Sequence, residues 1–170
     1  MIPEVSITCH ESSFFVRTIT VEQYRKYASL MEHSSSDRFR DAITLSKRII
    51  QELFPELSLA DLGTCDAIEL LATSAQIHRI MQDIIGEKLL KIVEVEQVER
   101  EESAFDEYDL ENGYEDEPEN TNPWRLCQEI VDRIVKIAIR LLNNSYSQCM
   151  KEDIISLVDY LKFELDTINE

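Results

Sequence analysis

The sequence is poor in the residues that make turns. Its 170 residues include only three glycines and four prolines. A sandwich or barrel of many short strands needs a turn signal about every ten residues. This composition therefore argues against a many-stranded β fold and favours long helices with few connections.

Basic residues are also scarce. Lys and Arg number 17 against 34 Asp and Glu, which gives a formal net charge of −17. Proteins that bind nucleic acids draw much of their affinity from Lys and Arg, which displace counterions from phosphates. We therefore expect no nucleic-acid partner.

No segment resembles an export leader or a membrane span. The first ten residues lack a basic stretch followed by an apolar one, and no window reaches about eighteen uninterrupted apolar residues. A cytosolic location is predicted, with no membrane contact. The four cysteines form no C-x-x-C pair, so we expect them to be reduced core residues: Cys9, Cys65, Cys127 and Cys149.

Motifs that carry chemistry are missing. The sequence has no G-x-S-x-G, no glycine-rich phosphate loop and no clustered Cys/His array. None of its three histidines follows a carboxylate by three residues, as in carboxylate-bridged metal bundles. The sequence predicts a protein that is not an enzyme and has no metal or cofactor, with His78 as a packed or boundary histidine.

An acidic stretch divides the chain. Residues 94–119 hold thirteen Asp and Glu and a single basic residue, Arg100. We predict three parts: a β-hairpin and helical domain over 1–92, a flexible acidic linker over 93–121, and a helical hairpin over 122–170. The stretch is alternatively a recognition element, because four large apolar residues interleave with its acids: Phe105, Tyr108, Leu110 and Tyr114.

The predicted fold is mostly α. Residues 4–9 and 14–19 are β-rich and predict a hairpin. Residues that typically cap helices mark five helix starts: Thr20, Asp37, Ser58, Thr64 and Asn122. The chain is then an N-terminal β-hairpin, a helical bundle, the acidic linker and a C-terminal antiparallel helical hairpin. The last helix is predicted to run from about Ser147 to Ile168.

Apolar stripes along the helices exceed what a small bundle needs, which suits a groove for a partner helix; the alternative is that these stripes are simply the core of this chain. The stripe of the long helix comprises Ile68, Leu71, Ala75, Ile77, Met81, Ile84, Ile85 and Leu89. From this stripe and the C-terminal hairpin we select ten candidate partner-binding residues. They are Ile77, Met81, Ile84, Ile85, Leu89, Ile134, Ile137, Leu141, Leu157 and Leu161.

Three segments resemble the tail assembly chaperones of long-tailed bacteriophages and phage-like particles. Residues 15–24, FVRTITVEQY, are similar to the family's entry into its first helix. The others are the connector at 54–62, FPELSLADL, and the start of the long helix at 66–71, DAIELL. The resemblance covers residues 3–92, about half of the chain.

This resemblance implies a non-enzymatic protein in the cytoplasm of a bacterial host. Such a protein binds the long, helical, aggregation-prone tape measure protein, keeps it in solution and helps to recruit tail tube subunits. The high negative charge agrees, because it keeps a complex soluble. The hairpin edge and the spare helical surface also permit homo-oligomers.

An alternative hypothesis is an acidic regulatory protein. Its acidic segment would occupy a basic cleft on a partner and inhibit it. The two hypotheses assign the critical contacts to different regions: the apolar stripes for a chaperone, and residues 94–121 for an inhibitor.

Overall fold

The computed structural model describes residues 2–34, 39–84, 88–89 and 122–168. It confirms the predicted fold class: a mostly helical chain with an N-terminal antiparallel β-hairpin and a C-terminal pair of helices. The acidic linker, the predicted cap at Asp37 and the far end of the long helix around Gly86 lie outside the described residues.

The hairpin pairs β1 (Val5–Cys9) with β2 (Ser12–Val16), and Ile7 lies opposite Phe14. Strand β1 alternates strictly between buried and exposed residues. Its buried side chains face the helices, as expected for a hairpin that is marginal by itself. The second strand begins two residues earlier than predicted.

A two-residue turn joins these strands. His10 and Glu11 both have positive φ, 49° and 64°, as a type I′ turn requires. Side chains with a Cβ are disfavoured in this region. We expect Glu11→Gly to raise the free energy of unfolding by about 1 kcal/mol in urea titrations. Glu11→Ala, which keeps a Cβ, is the control; equal stability of the two variants would contradict this account.

Four helices follow the hairpin. They are α1 (Val21–Glu32), α2 (Phe39–Leu53), α3 (Leu59–Leu62) and α4 (Ala67–Ile84). The predicted caps of α1 and α3 are confirmed, because Thr20 and Ser58 each form a complete capping box. The predicted cap of α4 at Thr64 is wrong. That hydroxyl donates to the carbonyl of Asp61, and Asp66 instead accepts from the N–H of Ile68.

Three helices form the C-terminal part: α5 (Pro123–Leu142), α6 (Tyr146–Lys151) and α7 (Ile154–Ile168). Asn122 caps α5 and Pro123 occupies its first turn, as predicted. The single last helix predicted from Ser147 is wrong. The helix is interrupted at Glu152 and Asp153, which separate α6 from α7. These residues pair with the start of α1: Val21 N–H donates to Glu152 O at 3.0 Å, and Ile154 N–H donates to Ile19 O at 2.8 Å.

Buried side chains from both sides of the acidic stretch belong to one cluster. Helix α4 packs on α2 and β1, while α1 packs on α2, α5 and α6. Helix α1 therefore connects the N-terminal part with the C-terminal part. The division at residues 92 and 122 stays a prediction, but the described residues on its two sides share a core.

The buried face of α4 differs from the predicted stripe. Ile68 is 75% exposed and Ala75 is exposed, whereas Thr73 and Ser74 are buried. The Ser74 hydroxyl lies 2.8 Å from that of Ser46 in α2, so both buried polar groups are satisfied. The observed buried face of α4 is therefore rotated around the helix axis relative to the predicted stripe. It includes polar residues whose hydrogen-bond partners lie in the hairpin and in α2.

Two cysteines are not the reduced residues expected. Cys9 at the end of β1 and Cys65 just before α4 form a disulfide across 56 residues of sequence. Cys127 and Cys149 are free and buried, as predicted. The bond ties the hairpin to the loop between α3 and α4.

Candidate functional site

Most of the predicted partner-binding residues belong to the core. Eight of the ten are no more than 4% exposed, and the ninth, Leu141, is half-buried. Ile85 lies outside the described residues. Apart from Leu157, which also lines an open groove, a partner could reach the eight only by displacing neighbours within this chain. They are Ile77, Met81, Ile84, Leu89, Ile134, Ile137, Leu157 and Leu161.

One open groove does include two of the predicted residues. It lies between the end of α5 and the first turns of α7 and has a volume of about 670 Å³. Its apolar lining comes from Leu141, Leu142, Leu157 and Tyr160. The remaining lining is polar and acidic: Asn144, Glu152, Ser156 and Glu164. We refer to it as the α5–α7 groove.

Local sequence explains how the groove opens. Asn143 ends α5 in the left-handed conformation, with φ of 54°, which turns the chain away from the helix axis. Asp153 then caps α7 by accepting from the N–H and the hydroxyl of Ser156. The groove lies between these two helices, and no residue of α6 lines it.

Tyr160 gives the groove an exposed aromatic ring. Its side chain is 51% exposed. The hydrogen bond and charge of Glu164 raise the pKa of Tyr160, because ionising the phenol would place two negative charges together. The groove therefore combines apolar contacts with carboxylates, which suits an apolar segment that carries basic side chains.

Tyr160 and Leu142 were missed in the sequence analysis because they lie beside the main stripes of α5 and α7. A signal was available. Tyr160 and Phe163 flank Leu161, so α7 carries more large apolar residues than one buried face can hold. Both rings are more than half exposed.

A second pocket, of about 400 Å³, lies between α1 and α6. It is lined in part by Arg25, Lys26 and Tyr146. Two of its three basic residues, Arg25 and Lys26 but not Lys151, have partners in the part of the chain that the structure describes. Arg25 donates to Asp132 at 3.2 Å and to the Tyr146 hydroxyl at 2.6 Å, and Lys26 pairs with Glu22 at 2.9 Å. This pocket therefore offers less unpaired charge to a ligand than its composition suggests.

An aromatic cluster joins three helices. Tyr27 of α1 hydrogen-bonds Nδ1 of His78 of α4, and its ring meets that of Trp124 of α5 edge to face at 5.5 Å. The rings of His78 and Trp124 are also 5.5 Å apart. His78 is half-buried, which confirms the packed or boundary histidine predicted from the sequence.

Burial gives this cluster a pH dependence. It lowers the pKa of His78 from its ordinary value of 6.5, because the charged ring is disfavoured. His78 is therefore protonated at a higher pH in the unfolded chain than in the folded chain. The contribution of His78 to stability is fully present above pH 6.5 and is lost as the pH falls toward the lower, folded pKa.

We expect His78→Gln to reduce the loss of stability between pH 7.5 and pH 5.5. The measurement is the midpoint of urea unfolding at both pH values. His33→Gln is the matched control, because His33 is exposed at the end of α1 and bonds only its own helix. If both variants show the loss seen in the natural chain, burial of His78 is not its cause.

Within residues 2–34, 39–84, 88–89 and 122–168, no three His, Cys, Asp or Glu side chains lie close enough together to hold a metal ion. None of the helices described combines the length and the apolar character that a membrane crossing needs. Comparisons of the chain with known protein families, curated proteins and solved structures found no match.

Proposed function

We propose that this protein is a non-enzymatic assembly chaperone of phage tails, which binds a helical segment of the tape measure protein in the host cytoplasm. The α5–α7 groove is the observation that carries the proposal. It is open, apolar at Leu141, Leu142 and Tyr160, and acidic at Glu152 and Glu164. An amphipathic helix with basic flanking residues has the complementary surface.

The size of the groove limits what it can bind. Its volume lies within the range of about 300 to 1,000 Å³ that is typical of ligand sites, so it holds a few side chains and not a whole helix. We therefore propose that one apolar face of the client contacts Tyr160 and its neighbours. The rest of the client helix stays at the surface.

The charge of the chain serves the same function. A client with exposed apolar helices aggregates through those surfaces, and a bound protein with a net charge of −17 adds repulsion between complexes. Recruitment of tail tube subunits is part of this proposal and uses surfaces other than the groove.

The groove can be tested by comparing two tyrosines. Tyr160 and Tyr146 are 51% and 50% exposed, but Tyr146 lines the second pocket. We expect Tyr160→Ser to weaken binding of the client about tenfold, because a central aromatic contact is lost. Tyr146→Ser should leave the affinity unchanged. Isothermal titration of the purified chain with peptides from the client's apolar helices measures both.

A third variant separates chaperone from inhibitor. It replaces the thirteen Asp and Glu of residues 94–119 by Asn and Gln and keeps the length of the chain. A chaperone should retain the affinity set by the groove and lose solubility. Loss of partner binding in this variant, with none in Tyr160→Ser, would favour the acidic inhibitor instead.

A further inference from the structure

The outer edge of β1 is covered by α4. Along this edge the N–H of Thr8 donates to the carboxylate of Glu69 at 2.8 Å. Thr73 and Gln76 donate to the carbonyls of Ser6 and Glu4 at 3.4 Å and 3.0 Å. These donors and acceptors follow each other at helical spacing along α4. Helix α4 therefore covers this edge of β1 against another strand.

The opposite edge of the hairpin is open. Because backbone groups of even-numbered β1 residues point to α4, those of the odd-numbered residues point to β2. The register pairs Ile7 with Phe14, so the even-numbered residues of β2 bond β1. The N–H and C=O groups of Ser13 and Phe15 therefore point outward. No group in the described part of the chain bonds to them.

This edge lacks the features that usually prevent strand addition. It carries no proline, lysine or bulge, and no described helix covers it. Ser12 and Ser13 are exposed, and Phe15 is 59% exposed although it is a large apolar residue. An edge of this kind pairs readily with another strand.

We propose that β2 pairs antiparallel with β2 of a second copy of this chain, about a two-fold axis at Phe14. This register pairs all five residues of the strand. It places Ser13 opposite Phe15 of the second copy, so that the outward backbone groups of both strands meet. The two hairpins then form one four-stranded sheet.

Charge selects this register over its neighbours. Glu11 and Arg17 lie just beyond the two ends of the strand, each three residues from Phe14, so this register brings each Glu11 near Arg17 of the other copy. A two-fold axis at Ser13 also brings outward backbone groups together, but it pairs Glu11 with Phe15. An axis at Phe15 does so too, but it pairs Arg17 with Ser13. Of these three axes, only the one at Phe14 brings opposite charges near each other at both ends.

The conformation of Glu11 supports a role beyond the turn. Its φ of 64° is one that glycine adopts at lower cost, yet the position carries a long acidic side chain. In the paired sheet that side chain reaches a cation. Arg17 already contacts Glu4 on the same exposed face, so each end of the interface becomes a group of three alternating charges.

The net charge opposes this association and sets the conditions for observing it. Two copies of −17 repel over a Debye length of about 8 Å at 0.15 M salt and over a longer range at lower salt. We therefore expect the dimer to dissociate as salt is lowered below physiological concentration.

The test is the dimer dissociation constant, measured by sedimentation equilibrium of the full chain in 0.15 M NaCl. The natural chain should dimerise, and Ser13→Pro should abolish dimerisation because it removes an outward N–H. A chain that stays monomeric up to its solubility limit overturns the proposal. The proposal is also overturned if the Ser13→Pro chain is folded, as judged by circular dichroism, and still dimerises.

A charge exchange tests the register, in a Glu4→Gln background that removes the existing ion pair of Arg17. Glu11→Arg and Arg17→Glu should each raise the dissociation constant about tenfold, and the two together should restore it. Glu11→Gly separates folding from pairing, since it should weaken the dimer while leaving the hairpin at least as stable. Failure of the double exchange to restore dimerisation overturns the register. None of these changes touches the α5–α7 groove, so the proposed function stands or falls separately.

Discussion

Replacing Tyr27 by alanine is expected to lower the free energy of unfolding by about 3 to 5 kcal/mol, the usual cost of deleting a large buried ring. Tyr27 is 0% exposed. Its ring contacts Trp124, and its hydroxyl bonds His78. The substitution therefore leaves a cavity where α1, α4 and α5 meet.

Urea unfolding followed by circular dichroism measures this loss. Tyr160→Ala is the matched control, because it makes the same chemical change at a half-exposed ring. Its effect should stay within about 0.5 kcal/mol. Equal stability of the two variants would contradict the claim that the contacts of Tyr27 stabilise the packing of the N-terminal part on the C-terminal part.

Reduction of the Cys9–Cys65 bond is expected to lower the free energy of unfolding by roughly 4 kcal/mol. The bond closes a loop across 56 residues of sequence, and a cross-link over such a length removes much of the entropy of the unfolded chain. Comparing unfolding with and without dithiothreitol gives the value directly.

Cys65→Ala supplies the control for this comparison. It cannot form the bond, so dithiothreitol should leave its stability unchanged, at the level of the reduced natural chain. If dithiothreitol lowered the free energy of unfolding equally in both chains, the loss could not come from the Cys9–Cys65 bond. The result also bears on location, because a reducing cytoplasm keeps most such pairs as thiols, and there the fold must be stable without the bond.

The capping residues show which features the sequence could predict. Thr20, Ser58 and Asn122 begin their helices as predicted because a capping interaction involves only residues two or three positions apart. The hairpin itself was also predicted, although its second strand begins two residues earlier than expected. Local chemistry is sufficient to predict these features.

Apart from the cap wrongly predicted at Thr64, which is also a local feature, the main errors have a different cause. Thr73 and Ser74 are buried because Ser6 and Ser46 supply partners for their hydroxyls, and these partners are distant in sequence. The break at Glu152 likewise depends on Val21, 131 residues away in the chain. A hydrophobic pattern in one segment contains no information about such partners.

The candidate site was predicted only in part. An apolar stripe identifies residues that will be buried, but not whether the partner is another segment of this chain or a different protein. Eight of the ten predicted residues pack inside this chain. Leu141 and Leu157 also line the open α5–α7 groove, and their role in partner binding stays a prediction.

Solubility of the client tests the central claim, that this protein binds a helical client and keeps it in solution. A tape measure protein offered as the client is expressed alone, with this chain, and with its Tyr160→Ser variant. The measurement is the fraction of client that stays soluble and co-purifies. We predict a soluble, retained client with the natural chain and less with the variant. A client whose solubility is the same in all three cases would contradict the claim.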